Sequence, residues 1–332
     1  TDWDEYILRG IGVYTVTGEK IAMLSTTGDK VAAGTSGTAL VVTNKGGGHG
    51  EIGFHLALAL RAKGLQVQLV NDLGDSDGDI VNKKPFSEYY QLIKAGVDVY
   101  FVDLSQPDAI SNATCFDVCR SFDYVFDNQN VCQKDVAKLA ADCGAFYAYV
   151  SSGGMYVPGD KFPMGELNVT KGADNNKQKA HEEWVMSDEI RPRLRGCAFF
   201  RPQYIVGPYT NKRDYLDCFF DRLPRNLPIP TPADGTQTTT VSDARDVANM
   251  LASVVGNTDA ILEAERACPT AGPVFNCASD RSLSLNEIVV ACGAAVGKSR
   301  WESEALIKYF DPNLAKDAPS GGKFPFRLTN FD

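Results

Sequence analysis

The sequence predicts an α/β fold in which a doubly wound parallel sheet is followed by a smaller, irregular C-terminal lobe. Two observations lead to this prediction. Short apolar runs alternate with amphipathic segments from residue 39 onward. Gly47, Gly50 and Gly53 lie three residues apart in a turn that joins the first apolar run to the first amphipathic segment. A strand, a glycine turn and a helix in this order are typical of the phosphate-binding start of a Rossmann-like sheet.

The composition narrows the class of protein. The chain has 332 residues, 44% apolar and 23% charged, as expected for one large or two ordinary globular domains. No apolar run is long enough to span a bilayer, so no membrane span is expected. A net charge of −9 argues against extensive coating of nucleic acid but allows a local basic face. Nine cysteines without C-x-x-C pairs indicate free thiols, and three histidines outside any Cys/His cluster argue against zinc.

Three segments are assigned along the chain. Residues 1–38 form an N-terminal extension, in which alternating apolar residues around the turn 17–20 predict a hairpin that could serve as a docking arm. Residues 39–207 form the Rossmann-like domain, and residues 208–332 form the smaller lobe on the substrate or RNA side. The chain begins at Thr1 rather than Met, which fits a processed protein whose targeting peptide has been removed.

The larger domain contains a regular alternation of strands and helices. Six strands are predicted, over 39–43, 65–70, 97–103, 124–127, 146–150 and 197–201. Five helices fit between them, over 53–63, 86–95, 105–119, 130–143 and 177–187. Because such strands run parallel, their carboxyl ends are expected to line one cleft.

Proline- and aromatic-rich segments follow the sixth strand and predict an irregular lobe over the carboxyl ends of the sheet. Helices are predicted there over 243–255 and 284–296. In the second helix, Ser284 and Glu287 have the spacing of a capping box. Residues 311–332 are predicted to lie along the surface.

Three motifs in order resemble the extended short-chain dehydrogenase/reductase superfamily, whose members include NAD-dependent epimerases and dehydratases. They are the glycine turn, Val150–Tyr156 and Phe200–Pro208. Seven further segments resemble the chloroplast stem-loop-binding protein family, its a-type in particular: 47–49, 52–54, 219–222, 228–230, 275–277, 279–281 and 309–312. The family continues beyond the segment that corresponds to Phe324–Arg327 with a helical stretch, which is expected to be absent here.

The resemblance implies a protein of the plastid stroma that binds structured RNA, associated with plastid ribosomes or the transcription machinery as an RNA stabiliser. It also implies a divalent-metal-dependent endoribonuclease, with Mg²⁺ the expected ion, acting on stem-loop RNA. A second hypothesis is an NAD(P)-dependent epimerase or reductase. A third is a non-catalytic subunit of a larger photosynthetic or gene-expression complex, docked through its N-terminal extension. Related folds often pair through helices, so a homo-oligomer is compatible with all three.

The superfamily's redox chemistry requires a serine, a tyrosine that acts as acid/base, and a lysine four residues after the tyrosine. Ser152 occupies the serine position. Lys179 matches the lysine, which places Asn175 at the position of the tyrosine. Asparagine does not exchange a proton near neutral pH, so hydride-transfer catalysis is expected to be lost. Tyr156 matches a structural tyrosine of the superfamily and is a poor substitute.

The cofactor site is weakened at the ribose. The acidic residue expected at the end of the second strand is replaced by Asn71, with Asp72 next to it. No basic residue follows closely to hold a 2′-phosphate, which favours NAD over NADP. The glycine turn is intact, so the sequence leaves dinucleotide binding open.

RNA contact requires cations for phosphates and flat side chains for unpaired bases. The middle third of the chain is its most basic part, and its first candidate cations are Lys177, Arg191, Arg193, Arg195, Lys212 and Arg213. The same cluster includes Lys171, Lys179, Arg222 and Arg225, with Trp184, Tyr209 and Tyr215 as neighbouring aromatic residues. They are expected to cluster near the open, carboxyl end of the sheet. For any single residue the better interpretation is a solvated side chain on a helix face or loop end.

Metal-assisted cleavage would require carboxylates that hold the ion and position water. Asp127, at a strand end beside the glycine turn, is the first candidate and Asp103 is the second. His49 could act as acid/base, although capping of the turn is the commoner role of such a histidine. His181 is expected to face solvent, and His55 to be structural.

Overall fold

The computed structural model describes residues 37–43, 49–72, 84–111, 121–129, 134–157, 164–210, 215–267, 273–279, 281–313 and 324–326. Three of the predictions lie outside the described residues, namely those for the N-terminal hairpin, for Gly47 and for the cations Lys212 and Arg213.

Seven parallel strands form the central sheet: β1 (Thr38–Thr43), β2 (Gln66–Asp72), β3 (Val97–Val102), β4 (Tyr124–Asn128), β5 (Phe146–Val150), β6 (Gly196–Pro202) and β11 (Val274–Cys277). Their order is β11-β6-β5-β4-β1-β2-β3, and every neighbouring pair is parallel. The strand order reverses between β1 and β4, where ligands bind in doubly wound sheets. The predicted fold class is confirmed.

Nine helices are seen in the described residues: α1 (Gly50–Ala62), α2 (Tyr90–Lys94), α3 (Asp135–Cys143), α4 (Lys177–Val185), α5 (Asp217–Arg222), α6 (Ala244–Ala252), α7 (Thr258–Ala267), α8 (Leu285–Ala295) and α9 (Arg300–Glu304). Helices α1, α2, α6 and α7 cover one face of the sheet, and α3 and α4 cover the other. Among the described residues, no helix has both the length and the apolar character that crossing a bilayer requires.

The two faces of the sheet follow from the period of two along each strand. In β1, Ala39 and Val41 belong to the core beneath α1, whereas Leu40 and Val42 belong to the core beneath α3. All four side chains are fully buried. An uninterrupted apolar run is therefore the signature of this strand, since both of its faces are covered.

The second lobe has a core of its own, to which Phe219, Leu223 and Ile229 contribute. Its short strands pair as β7 (Ile205–Val206) with β10 (Ser242–Asp243), β8 (Ile229–Pro232) with β13 (Ile307–Phe310), and β9 (Thr238–Thr239) with β12 (Leu283–Ser284). The capping box predicted at the start of α8 is present.

The chain after residue 207 also builds part of the larger layer. Strand β11 pairs with β6 at the edge of the central sheet, and α6 packs on α1 within the first core. Neither contribution follows from the sequence, because a four-residue strand carries little periodic signal. The two assigned domains therefore share one sheet.

Gly293 allows α8 and α9 to pack closely. A Cβ atom on Gly293 would lie 1.9 Å from Ser303 Oγ and 2.9 Å from Ser303 Cβ. We expect Gly293→Ala to lower the free energy of unfolding by about 1–3 kcal/mol in urea titrations, because overpacking outweighs the helix preference of alanine. Adding Ser303→Gly should restore part of the loss, and equal stability of Gly293→Ala and wild type would contradict this packing.

Candidate functional site

The cleft at the reversal of strand order begins with the amino end of α1. The Asn128 side-chain Nδ2 donates hydrogen bonds to Thr43 Oγ1 and to the His49 carbonyl oxygen, both at 3.0 Å. These bonds tie the start of α1 to the ends of β1 and β4. The ring Nδ1 of His49 lies 2.8 Å from Glu51 Oε1, a local contact within the first turn. The amino end of α1 therefore lies at the cleft, where a helix end favours an anion, whereas the buried Glu51 carboxylate of the first turn opposes one.

Gly53 sets the distance between α1 and β1. A Cβ atom on Gly53 would lie 3.0 Å from Thr43 Cβ and 3.2 Å from Thr43 Cγ2, and Thr43 is fully buried. Gly50, the first residue of α1, is buried as well. Close approach of helix and strand is what the third glycine of a phosphate-binding turn allows.

Substitution of Gly53 by alanine is expected to push α1 away from β1. Because a buried threonine would have to move, Gly53→Ala should lower the free energy of unfolding by about 1–3 kcal/mol. Chemical denaturation checks this, with Gly172→Ala as the matched control, since a Cβ atom on Gly172 meets nothing within 4 Å. An equal loss in both variants would show that the effect does not come from the contact with Thr43.

The ribose position is polar but has no free carboxylate. Asn71 is buried, and its Oδ1 accepts a hydrogen bond of 2.8 Å from the Tyr89 hydroxyl. Burial raises the pKa of Tyr89 above its usual range, so the phenol stays a donor. The buried Asn71 Nδ2 has no hydrogen-bond partner among the described residues. Asp72 Oδ1 accepts a bond of 3.1 Å from the Leu104 amide.

These contacts fit a dinucleotide in part. The amino end of α1 and Gly53 suit a pyrophosphate, and Asn71 offers an N–H group to a ribose oxygen. The paired acceptor oxygens that hold both ribose hydroxyls in this type of fold are missing at Asn71. The residues of the candidate site therefore fit the pyrophosphate of a dinucleotide better than they fit its ribose.

The residues predicted to correspond to the dehydrogenase serine, tyrosine and lysine follow β5 or lie near the start of α4. They are Ser152, Asn175 and Lys179. Ser152 Oγ accepts a bond of 3.1 Å from the Gly154 amide and caps a short 3₁₀ turn. Asn175 is exposed at the end of another 3₁₀ turn. The next residue, Asn176, caps α4 by accepting a bond from the Lys179 amide.

The Lys179 amine is held by carboxylates of its own helix. Its Nζ lies 3.6 Å from Glu183 Oε1 and 4.0 Å from Glu182 Oε2. A lysine in this arrangement has no tyrosine beside it whose pKa it could lower, because its predicted partner is Asn175. If Asn175 corresponds to the superfamily's tyrosine, as predicted, Lys179 has no phenol at that position to assist.

A buried ion pair between Arg201 and Glu182 was not predicted from the sequence. Arg201 donates to Glu182 through Nη2 at 2.6 Å and Nε at 3.1 Å, and both side chains are almost fully buried. Ser151 Oγ also donates to Glu182, at 2.7 Å. The signal that could have found the pair is an arginine at the end of the otherwise apolar strand β6, which demands a buried partner.

The same arginine connects to the edge strand β11. Arg201 Nη1 donates to the Tyr156 hydroxyl at 3.0 Å, and this hydroxyl donates to Asn276 Oδ1 at 2.7 Å. Burial is the largest influence on the pKa of Tyr156 and raises it, while the bond from Arg201 opposes the shift. Tyr156 is thus held in a structural chain.

Asp127 begins a second buried chain. The Tyr147 hydroxyl donates to Asp127 Oδ2 at 2.7 Å and lies 2.9 Å from His181 Nε2. Asp127 Oδ1 accepts a bond of 3.0 Å from the Gln129 amide. Asp127 is fully buried, and burial raises its pKa to about 7 against the lowering effect of these bonds.

The prediction that His181 faces solvent is wrong. The side chain is 4% exposed, with its ring 4.6 Å from the ring of Tyr149 and 5.7 Å from that of Trp184. Burial, together with the charge of Lys134, lowers the pKa of His181 to about 4. Helix α4 looks charged in sequence, yet this face packs on β5.

The structure does not bring the two candidate metal carboxylates together. Asp127 ends β4 and Asp103 follows β3, with β1 and β2 between them. At about 4.8 Å per strand, they lie on the order of 14 Å apart, too far to share an ion. Asp103 accepts bonds from Ser105 and Gln106. Within the described ranges, no three His, Cys, Asp or Glu side chains form a group that could hold a metal ion.

The candidate arginines do not cluster at the open end of the sheet. They precede β6 and therefore lie at the amino edge, opposite the cleft. Arg191 forms a bidentate pair with Glu265, and Arg193 pairs with Asp142. Arg195 donates to a backbone carbonyl at 2.7 Å. Lys177 is the first residue of α4 and lies at the carboxyl end of the sheet, because α4 runs antiparallel to the strands.

The strand order and the close packing of α1 on β1 at Gly53 are those of the extended short-chain dehydrogenase fold. The model of the NAD dependent epimerase/dehydratase family matches residues 43–276, and the chain belongs to this family.

One similar protein indicates a narrower group than this family. Residues of this chain are 29% identical over 187 positions to "Chloroplast stem-loop binding protein of 41 kDa b, chloroplastic" from Arabidopsis thaliana. The match covers 56% of this chain and 44% of the relative, so the chain spans less than half of that protein. The predicted resemblance to the stem-loop-binding protein family is thereby confirmed, while its a-type in particular stays a prediction. This relative is a chloroplast protein, which supports the predicted plastid location.

Solved structures agree on the fold. A putative epimerase from Burkholderia cenocepacia has a TM-score of 0.57 at 18% identity, covering 84% of this chain and 86% of its own. A dTDP-glucose 4,6-dehydratase from Streptomyces venezuelae, solved with NAD bound, has a TM-score of 0.56 at 18% identity, covering 83% of this chain and 85% of its own.

Proposed function

We propose that this chain is a plastid protein that binds structured RNA on an epimerase/dehydratase scaffold whose hydride-transfer chemistry has been lost. The similarity to a chloroplast protein named for stem-loop binding carries the RNA part of the proposal. Association with plastid ribosomes or the transcription machinery belongs to the same proposal. An acidic chain can bind a polyanion only through a local group of cations, because its net charge of −9 repels RNA at long range.

The loss of redox chemistry is supported at Asn175. An exposed asparagine at the acid/base position cannot pass a proton to a substrate oxygen near neutral pH. The lysine that would assist a tyrosine is instead close to Glu182 and Glu183.

Mg²⁺-dependent cleavage of RNA is the less supported part of the proposal. Asp127 is buried and hydrogen-bonded to Tyr147, and it does not meet Asp103. If cleavage occurs, the carboxylates that bind Mg²⁺ would have to be other residues. Adding Mg²⁺ to the binding assay below and measuring the length of the RNA tests whether cleavage occurs.

The main alternative is an NAD-dependent epimerase or reductase, which family membership and the close packing at Gly53 favour. In that case the glycine turn and Asn71 would hold NAD, which would supply the hydride acceptor. Ser152 would orient the substrate oxygen, and a group other than Asn175 would have to exchange the proton. A non-catalytic subunit of a plastid complex is the third candidate.

The deciding experiment is binding of the purified chain to a stem-loop RNA across a salt titration, beside an unstructured RNA of equal length. We expect tighter binding to the stem-loop and an affinity that falls as salt rises. Absence of binding to either RNA at moderate salt would contradict the proposal. Quenching of nicotinamide fluorescence together with turnover of a sugar nucleotide would establish the alternative.

A further inference from the structure

The second lobe contains a surface formed by two contacting segments, one with an exposed tryptophan and a lysine and the other with two arginines. It comprises Arg222, Arg225, Leu227, Lys298 and Trp301, and we call it the Trp301 surface. Trp301 is 82% exposed and Leu227 is 38% exposed. A fully solvated indole is unusual, because tryptophan has a large apolar area that folding normally buries.

The Trp301 surface consists of two segments, residues 222–227 and 298–301, which are joined by hydrogen bonds. Lys298 Nζ donates to Asn226 Oδ1 at 2.5 Å, and the Ile229 amide donates to the Leu306 carbonyl at 2.8 Å. Strands β8 and β13 continue this pairing in parallel. The turn at 225–228 therefore lies against the segment that includes Trp301.

The cations of the Trp301 surface bond to neutral oxygens. Arg222 Nη1 donates to the Pro228 carbonyl at 2.9 Å, and Arg225 Nε donates to the Asp221 carbonyl at 2.6 Å. Together with Lys298, they form no ion pair with a carboxylate among the described residues. The arginines predicted as RNA ligands differ, because Arg191 and Arg193 are both paired with carboxylates.

The local charge also differs from that of the whole chain. Segments 220–230 and 296–310 contain five cations and three carboxylates, whereas the chain carries a net charge of −9. Two of these carboxylates have local roles, since Glu302 accepts the capping bonds of Ser299 and Glu304 pairs with Arg300. Positive charge is thus concentrated beside a solvated indole.

We infer that the Trp301 surface binds RNA, with Trp301 stacking on an unpaired base while Arg222, Arg225 and Lys298 contact phosphates. Flat side chains for bases and unneutralised cations for the backbone are the chemistry that loops and single strands of RNA require. The inference rests on the proposed function and places the binding face on the second lobe, at a surface that combines Arg222 and Arg225 of the basic middle third with Lys298 and Trp301, which the sequence did not single out.

The test uses the whole chain and a stem-loop RNA with 2-aminopurine in its loop. Trp301→Ala is expected to weaken binding between about fivefold and a hundredfold and to abolish the quenching of 2-aminopurine. Replacing Arg222, Arg225 and Lys298 by glutamine should weaken binding and reduce the slope of log affinity against log salt by about 2. Trp301 is solvated, so its loss should leave the fold intact, which circular dichroism checks.

A charge-matched control removes three exposed cations elsewhere, Lys63, Lys94 and Arg266, also by glutamine. Equal weakening by both triple variants, or unchanged binding by Trp301→Ala, would overturn the Trp301 surface while leaving RNA binding established. Binding of a protein by this surface, with RNA affinity unchanged in Trp301→Ala, would overturn it as well. If wild type binds no RNA, the proposed function fails together with this inference.

Discussion

Arg201→Met is expected to lower the free energy of unfolding by about 3–5 kcal/mol, the range for removing one partner of a buried ion pair. Glu182 would then remain buried without its bidentate partner, while Ser151 supplies only one neutral hydrogen bond. The chain from Arg201 through Tyr156 to Asn276 would be interrupted, which should loosen β11 at the edge of the sheet.

Urea titrations of four variants, Arg201→Met, Glu182→Gln, their combination and Arg300→Gln, separate the charge effect from a packing effect. Combining Arg201→Met with Glu182→Gln should recover much of the loss, since no uncompensated charge is left in the interior. Arg300→Gln breaks an exposed ion pair with Glu304 and should leave stability unchanged within error. A double variant as unstable as the sum of its single changes would show that the pair does not act as a unit.

Asp127→Asn is expected to change how stability depends on pH. Burial raises the pKa of Asp127 from 3.8 to about 7, so the folded state retains a proton that the unfolded chain releases. This group therefore stabilises the fold fully below about pH 4, and the contribution is lost as pH rises to about 7. Relative to wild type, the variant should gain stability across that window, by at most about 1.4 kcal/mol per pH unit.

His181 has the opposite effect in wild type. Its pKa is lowered from 6.5 to about 4, so its contribution is present above pH 6.5 and is lost as pH falls toward 4. Between pH 4 and 6.5 the two groups have opposite effects on the free energy of unfolding. In Asp127→Asn only the effect of His181 remains, so stability should rise with pH across this range. Denaturation at several pH values checks this, with the exposed Asp142→Asn as control. Parallel pH profiles for Asp127→Asn and wild type would show that Asp127 titrates at an ordinary pKa.

If RNA binding is established, the scaffold would illustrate how a nucleotide-binding fold can change function. The phosphate half of the cleft, with α1 packed on β1 through Gly53, has been kept. The acid/base position has become Asn175. RNA binding would then depend, as proposed, on cations outside the cleft, where surface substitutions cost little stability.

Local patterns in the sequence were sufficient for the central layer. Six of its seven strands were predicted, and β1 and β5 contain continuous apolar runs, Ala39–Val42 and Phe146–Val150, because both faces of a parallel sheet are covered there. The capping box of α8 is likewise decided within four residues, Ser284 to Glu287. The assignment of Asn175 to the acid/base position likewise comes from the spacing in the chain and remains a prediction.

The partners of charged groups were decided only by the tertiary structure. Arg201 meets Glu182 from another element, Asp127 meets His181 through Tyr147, and Asp103 is kept from Asp127 by two intervening strands. Sequence shows that a residue is charged, but whether it is solvated, paired or buried depends on which strands are neighbours. Strand order is set by the packing of the whole chain, and so the carboxylates that seemed available for a metal ion are buried or separated from each other.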